Sequence, residues 1–209
     1  MKIAVIGTGN VGGTLGSRWA QAGHQVVFGS RNPQSDKVQK LLSAAGENAS
    51  AGSVSEATAA AEVVVLAIPW SVTQETISAA GDFANKIVVD ATNPIAPGLQ
   101  LAMGTTTSGG EQVASWVKGA RVVKAFNTTG WENMADPVYD GEPTLMLICG
   151  NDAEAKTAVS QLAATLGFDV ADLGPLSAAR LLEPFALIWI RLAGVQGYGR
   201  DFAFKLIKR

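Results

Sequence analysis

Cysteine and histidine are almost missing from this chain. Cys149 and His24 are the only examples among 209 residues. A single thiol excludes an internal disulfide, and the two residues together cannot build a Cys/His metal cage. No metal ligand is therefore assigned. A Ser-His-Asp triad is excluded unless His24 belongs to it, and the lone thiol is compatible with a reducing compartment. A Tyr-x-x-x-Lys pair is also lacking, because Pro143 and Phe202 stand four residues after Tyr139 and Tyr198. Charge of one sign is scarce: 16 Lys and Arg against 18 Asp and Glu leave a formal net charge of −2, with both signs mixed along the chain. No basic stripe offers itself to nucleic acid. Long apolar runs are lacking too. The stretch "PFALIWI" (184–190) lies between Glu183 and Arg191, far short of the roughly 20 residues that cross a bilayer. The run after Met1-Lys2 is too short for a signal peptide and has no cleavage site. These absences predict a soluble cytoplasmic protein with no nucleic-acid or membrane partner.

What is present is alternation. Short β-branched runs at Ile3–Ile6, Gln25–Phe28, Val63–Ile68, Ile87–Asp90, Val122–Phe126 and Leu145–Cys149 are separated by helical patterns, several ending in Gly. Strand–helix alternation predicts an α/β, Rossmann-type doubly wound fold with a mainly parallel sheet and helices on both faces. Near-continuous apolar strands agree, since such a sheet is buried on both sides. A further strand is possible at Asp169–Leu173. The uncharged stretch 93–110 reads either as a mobile loop or as a connection ending in a helix N-cap at Ser108. The tail from Leu176 to Arg209 reads as helices interrupted at Pro184 and at the glycines 194, 197 and 199. One NADP-binding domain is expected over 1–209, with 175–209 a C-terminal helical segment packed on it.

The segment "VIGTGNVGG" (5–13) holds Gly7-x-Gly9-x-x-Gly12 directly behind the first strand. Alone the pattern is weak. With a strand before, a helix after and a second strand about 20 residues on, it reads as a dinucleotide site. Gly7 allows the tight turn, Gly9 lets the backbone approach a pyrophosphate, and Gly12 lets helix pack on strand. Free N–H groups near Asn10, Val11 and Gly12 at the helix start then face the phosphates.

The second strand ends "VVFGSRNP". An NAD site usually places a carboxylate there for the ribose 2′-hydroxyl; this chain has Ser30 and Arg31 instead. Arg31 can grip a 2′-phosphate with a charge-assisted fork, Ser30 can donate its hydroxyl, and Thr8 in the loop can reach the same group. The expected cofactor is NADP(H).

Ligands of doubly wound sheets bind beyond the carboxyl ends of the strands. Those ends read "AIPW" (67–70), "DATNP" (90–94) and "KAFNTTGW" (124–131). Asn93 and Asn127 are neutral amides suited to a carboxamide or a ring, and Ile68, Pro69 and Trp70 can pack on a nicotinamide. Asp90 reads as a base or, better, as a hydrogen-bonded structural carboxylate. Lys124 reads as a catalytic lysine or, better, as an edge or packing residue. No catalytic acid–base residue is assigned, which suits direct hydride transfer between cofactors that the protein orients. His24 falls at the opposite end of the sheet, and Cys149 reads as a small core residue.

Together, "IGTGNVG", "GSRNP", "DATNP", "TTTSGGEQVA", "VVKAFNT", "GND" (150–152) and "GPLSAARLLEPFALIWIRLAG" resemble the F420-dependent NADP reductase family over nearly the whole chain. "GSRNP" and "VVKAFN" are also similar to the cytosolic domain of the six-transmembrane metalloreductases. The resemblance implies a homodimer, with Thr8, Ser30 and Arg31 on the 2′-phosphate. It implies a second cofactor or substrate, F420 or the flavins FMN or FAD, in a shallow cleft shaped near Pro69, Asn127 and Leu187. Asn127 stands where archaeal members carry a histidine, which makes a flavin or another acceptor an alternative to F420. Three functions follow: hydride transfer between NADP(H) and F420 or a related flavin, an NADPH-dependent flavin or ferric reductase, or a non-catalytic NADPH-binding redox sensor.

Overall fold

In the computed structural model, which describes residues 1–209, the predicted alternation forms one large sheet. Its strands and helices follow in chain order: β1 (Lys2–Ile6), α1 (Asn10–Gln21), β2 (Gln25–Gly29), α2 (Asp36–Ala45), β3 (Ala49–Gly52), α3 (Val54–Ala60), β4 (Val63–Leu66), α4 (Thr73–Ala79), β5 (Ile87–Asp90), the two-residue strands β6 (Ile95–Ala96) and β7 (Gln100–Leu101), α5 (Gly109–Trp116), β8 (Arg121–Lys124), α6 (Trp131–Ala135), the short strands β9 (Val138–Tyr139) and β10 (Glu142–Pro143), β11 (Leu145–Gly150), α7 (Ala153–Leu166), β12 (Asp169–Asp172) and α8 (Ala179–Ile190).

The large sheet has the order β12-β11-β8-β5-β4-β1-β2-β3. From β3 to β8 all neighbours are parallel. β11 turns antiparallel against β8 and carries β12 parallel beside it. The fold is therefore Rossmann-type, and the strand order reverses beside β1, where ligands of such sheets bind.

Alternate residues of each strand feed two separate cores. Ile3, Val5, Val63, Val65, Val89 and Val123 face Leu15 and Trp19 of α1 and Val159 and Leu162 of α7. Ala4, Ile6, Val64, Leu66, Val88 and Val122 face Ala57 of α3, Ile77 of α4, Val113 of α5 and Leu182 of α8. Burial on both faces is why these strands lack polar alternation. Ser108 caps α5, its hydroxyl accepting from the Glu111 N–H, so the stretch 93–110 contains a small hairpin and ends in the expected cap.

The C-terminal segment differs from expectation in two places. Pro184 lies inside α8 without ending it: Pro184 is on the exposed side, while buried Leu182, Ala186 and Trp189 hold the helix through that point. A π turn (Arg191–Val195) follows, and residues 196–209 are not helical. Gly197 and Gly199, both at φ +76°, redirect the chain into an extended strap. Phe202 stacks on Trp189 at 5.3 Å, Phe204 lies 4.8 Å from Phe185, and the Phe204 carbonyl accepts from Leu145 N–H at 2.9 Å. Those contacts need an extended backbone.

No helix is long and apolar enough to cross a membrane.

Candidate active site

The three glycines of the loop divide their work as the pattern predicts. Gly7 adopts φ +113°, and a Cβ there or at Gly12 would overlap a backbone carbonyl oxygen: that of Ala67 for Gly7, that of Gly7 itself for Gly12. Gly9 is different. Nothing lies within 4 Å of where its Cβ would stand, so the absence of a side chain serves no contact within the protein. Gly9 is also the N-cap of α1, and no side chain caps that helix. Its first turn is left with amide donors facing open space, flanked by half-buried Thr8 and Val11 and exposed Asn10. Beside the loop a cavity of about 390 Å³ opens, lined by Thr8, Gly9, Asn10, Thr14, Lys37 and Trp131 among others.

Parallel pairing of β1 with β2 brings the end of the second strand alongside: Gly7 N–H donates to Gly29 O at 3.2 Å. Ser30 N–H donates to Gly52 O at 3.0 Å, and its hydroxyl accepts from Asn32 N–H at 3.2 Å. Arg31 is exposed and joins none of the ion pairs. A guanidinium and a hydroxyl thus stand beside the open loop.

Two strand ends meet on the other side. Asn93 Nδ2 donates to Asn127 O at 2.8 Å, and Asn127 Nδ2 donates to Asn93 Oδ1 at 3.1 Å and to Leu182 O at 3.3 Å. Asn127 Oδ1 is buried and has no partner. Phe126 directs this amide inward through a left-handed turn (φ +62°), rare for a bulky residue. Its ring, 5.6 Å from Trp19 and 6.5 Å from Phe168, holds the turn in place. Ile68 is half-buried against Gly7 and Pro69 is exposed. Trp70 stacks on Trp116 at 5.4 Å rather than standing free. Leu187, half-buried on α8, is linked to the amide pair through the helix that carries Leu182. The glycine loop, Ser30, Arg31, Ile68, Asn93 and Asn127 thus converge at the carboxyl ends, and His24 lies in the turn before β2 at the other end.

Of the two structural readings of Lys124, edge or packing, the edge is corrected. Lys124 is not at an edge: β8 lies between β5 and β11, and the residue is fully buried. Its ammonium meets three acceptors: Asp90 Oδ2 at 2.8 Å, Glu183 Oε1 at 2.9 Å and Thr92 O at 2.8 Å. Asp90 Oδ1 also accepts from Thr92 N–H and Oγ1–H, at 2.9 and 2.7 Å. Glu183 accepts from Gly109 and Gly110 N–H at 2.9 and 3.0 Å, closing the N-terminus of α5. Both carboxylates meet only donors, so each serves here solely as an acceptor. Burial alone would lower the Lys124 pKa, but Asp90 and Glu183 outweigh it and hold the ammonium above its ordinary value. Burial pushes the neighbouring Cys149 thiol up to about 12, which keeps it protonated and inert. The sequence signal was a lysine in an otherwise apolar strand, "VVKAF", which requires an internal partner.

Residues 2–94 match the family model described as NADP oxidoreductase coenzyme F420-dependent. The F420-dependent NADP reductase of Methanocaldococcus jannaschii is 31% identical over 210 residues, covering 92% of each chain. The chain belongs to the F420-dependent NADP reductase family. A crystal structure from Arthrobacter sp. FB24, provisionally described as an F420-dependent NADP reductase, superposes on this family member with a TM-score of 0.90 at 35% identity, covering 100% of both chains. The metalloreductase STEAP3 of Rattus norvegicus is 34% identical over 190 residues and covers 89% of this chain, but the chain spans only 36% of that protein's length. As a member of the F420-dependent NADP reductase family, the protein is an NADP-dependent oxidoreductase.

Proposed function

We propose that the protein transfers a hydride between NADP(H) and coenzyme F420 or a related flavin, and that residues 1–209 act as one NADP-binding domain with 175–209 packed on it. The observation that carries the cofactor's orientation is the unpartnered Asn127 Oδ1. A buried acceptor left without a donor is costly, and the N–H of a nicotinamide carboxamide would satisfy it. The open space over Gly9 suits a pyrophosphate, which the amide donors near Asn10, Val11 and Gly12 would bind. Thr8, Ser30 and Arg31 would hold the 2′-phosphate. Asn93 keeps Asn127 in place, and Ile68, Pro69 and Leu187 would form apolar walls that exclude water. When bound, NADPH supplies the hydride; the chain's own share is to hold the two rings at reacting distance, where proximity and orientation carry the rate.

The identity of the acceptor has two readings. The archaeal relatives are F420-dependent NADP reductases, whereas the similarity to STEAP3 favours an NADPH-dependent flavin or ferric reductase. Purified protein mixed with NADPH and either F420 or FMN, followed at the nicotinamide absorbance band without oxygen, separates them. Oxidation with F420 supports the first reading and oxidation with FMN alone the second. Oxidation by neither acceptor, with NADPH still bound, contradicts both.

A homodimer is part of the same proposal. Leu181, Ile188 and Val195, spaced seven residues apart along α8 and its π turn, are each at least half exposed, an apolar stripe that a second copy would cover. A monomer mass in analytical ultracentrifugation at micromolar concentration would rule this out.

A further inference from the structure

The buried cluster of Asp90, Lys124 and Glu183 is joined to the amide pair through the backbone. Asp90 and Lys124 end their strands as cross-strand neighbours. The Thr92 carbonyl that Lys124 holds directly precedes Asn93. Glu183 directly follows Leu182, whose carbonyl accepts from Asn127. Asp90 and Lys124 thus lie three residues before Asn93 and Asn127, and Glu183 one residue after the Leu182 that holds Asn127, beneath the surface assigned above to the nicotinamide.

The charges do not cancel. Two carboxylates against one ammonium leave an excess of one negative unit. The amides at the start of α5 offset part of it at Glu183. The half-buried pair between the same helices, Glu111 with Arg180, is self-neutralising. Because the cluster is fully buried, salt screens it little.

We propose that Asp90 and Glu183, held by Lys124, are positioning residues whose excess negative charge biases the bound nicotinamide toward its oxidised form. The inference rests on the cofactor orientation argued above. Hydride loss breaks the C–H bond at the ring and sends both electrons and the proton to the acceptor, leaving the ring one unit more positive. A fixed buried anion stabilises that cationic product over the neutral reduced ring and so favours hydride donation. Both nucleotide forms carry the same phosphates, so every contact to the phosphates drops out of a comparison between them.

Dissociation constants for NADP⁺ and NADPH, measured calorimetrically on wild type, Glu183→Gln, Asp90→Asn and Glu183→Asp, test this. Removing one charge unit should raise the ratio Kd(NADP⁺)/Kd(NADPH) several-fold in Glu183→Gln and in Asp90→Asn. Glu183→Asp strains the same contacts but keeps the charge, and should leave the ratio at the wild-type value. The two neutralising variants disturb different elements, α8 and β5, so either one that folds gives the reading. Equal weakening of both forms, or a ratio that moves as far in Glu183→Asp, overturns the inference and reduces the cluster to a structural latch. Wild type that binds neither nucleotide would instead overturn the cofactor assignment beneath it.

Discussion

Gly9→Ala is expected to fold with nearly the wild-type melting temperature and to lose at least tenfold in NADPH affinity, about 1.4 kcal/mol. The two effects separate because of what surrounds the missing Cβ. Nothing in the protein lies within 4 Å of it, and the backbone at φ −79° accepts alanine. The stability cost is then limited to the poorer N-cap, about 1 kcal/mol or less. The methyl instead fills the space assigned to the pyrophosphate. Gly12→Ala should behave in the opposite way. Its Cβ would overlap the Gly7 carbonyl oxygen, backbone that cannot swing aside, so the loss should exceed the roughly 1–3 kcal/mol of ordinary overpacking. Thermal melts paired with calorimetric titration of both variants provide the check. A Gly9→Ala protein that binds NADPH like wild type would remove the pyrophosphate from this loop.

Lys124→Met carries the largest stability effect. It leaves Asp90 and Glu183 buried with no cation between them, and breaking a buried ion pair from one side typically costs about 3–5 kcal/mol. Many domains have only about 5–15 kcal/mol in total, so the variant should unfold at a much lower urea concentration or fail to accumulate as folded protein. Urea denaturation followed by circular dichroism measures this, and a loss below about 1 kcal/mol would show that the cluster is not held by its lysine.

The sequence patterns that survived contact with the structure were local. Six apolar β-branched runs became strands, and Gly7-x-Gly9-x-x-Gly12 lies at the first strand–helix turn, where Gly12 meets Gly7 close by in the chain and Gly7 meets Ala67 just past β4, the neighbouring strand in the sheet. β3 was missed because "ASAG" (49–52) has no β-branched or large apolar residue; it is a strand because β2 offers it a parallel edge. The strap at 196–209 was misread as helix because what extends it lies elsewhere, in Trp189, Phe185 and Leu145. The Asp90–Lys124–Glu183 cluster joins three segments up to 93 residues apart, and no spacing rule reaches that far. What could have flagged it is an argument from cost: a lysine between valines and Ala-Phe cannot be buried alone. Asp90 fared better because a buried carboxylate already implies a partner.

Titrating wild type and Arg31→Ala with NADPH and NADH bears most directly on the account. Arg31 is exposed and free of any ion pair, beside Ser30 at the end of the second strand, and a charge-assisted hydrogen bond contributes about 1.5–3 kcal/mol. Wild type should prefer NADPH, and Arg31→Ala should bind NADPH roughly tenfold or more weakly while its NADH affinity stays nearly the same. Equal wild-type affinities for the two nucleotides, or an Arg31→Ala protein that holds NADPH as tightly as before, would contradict it.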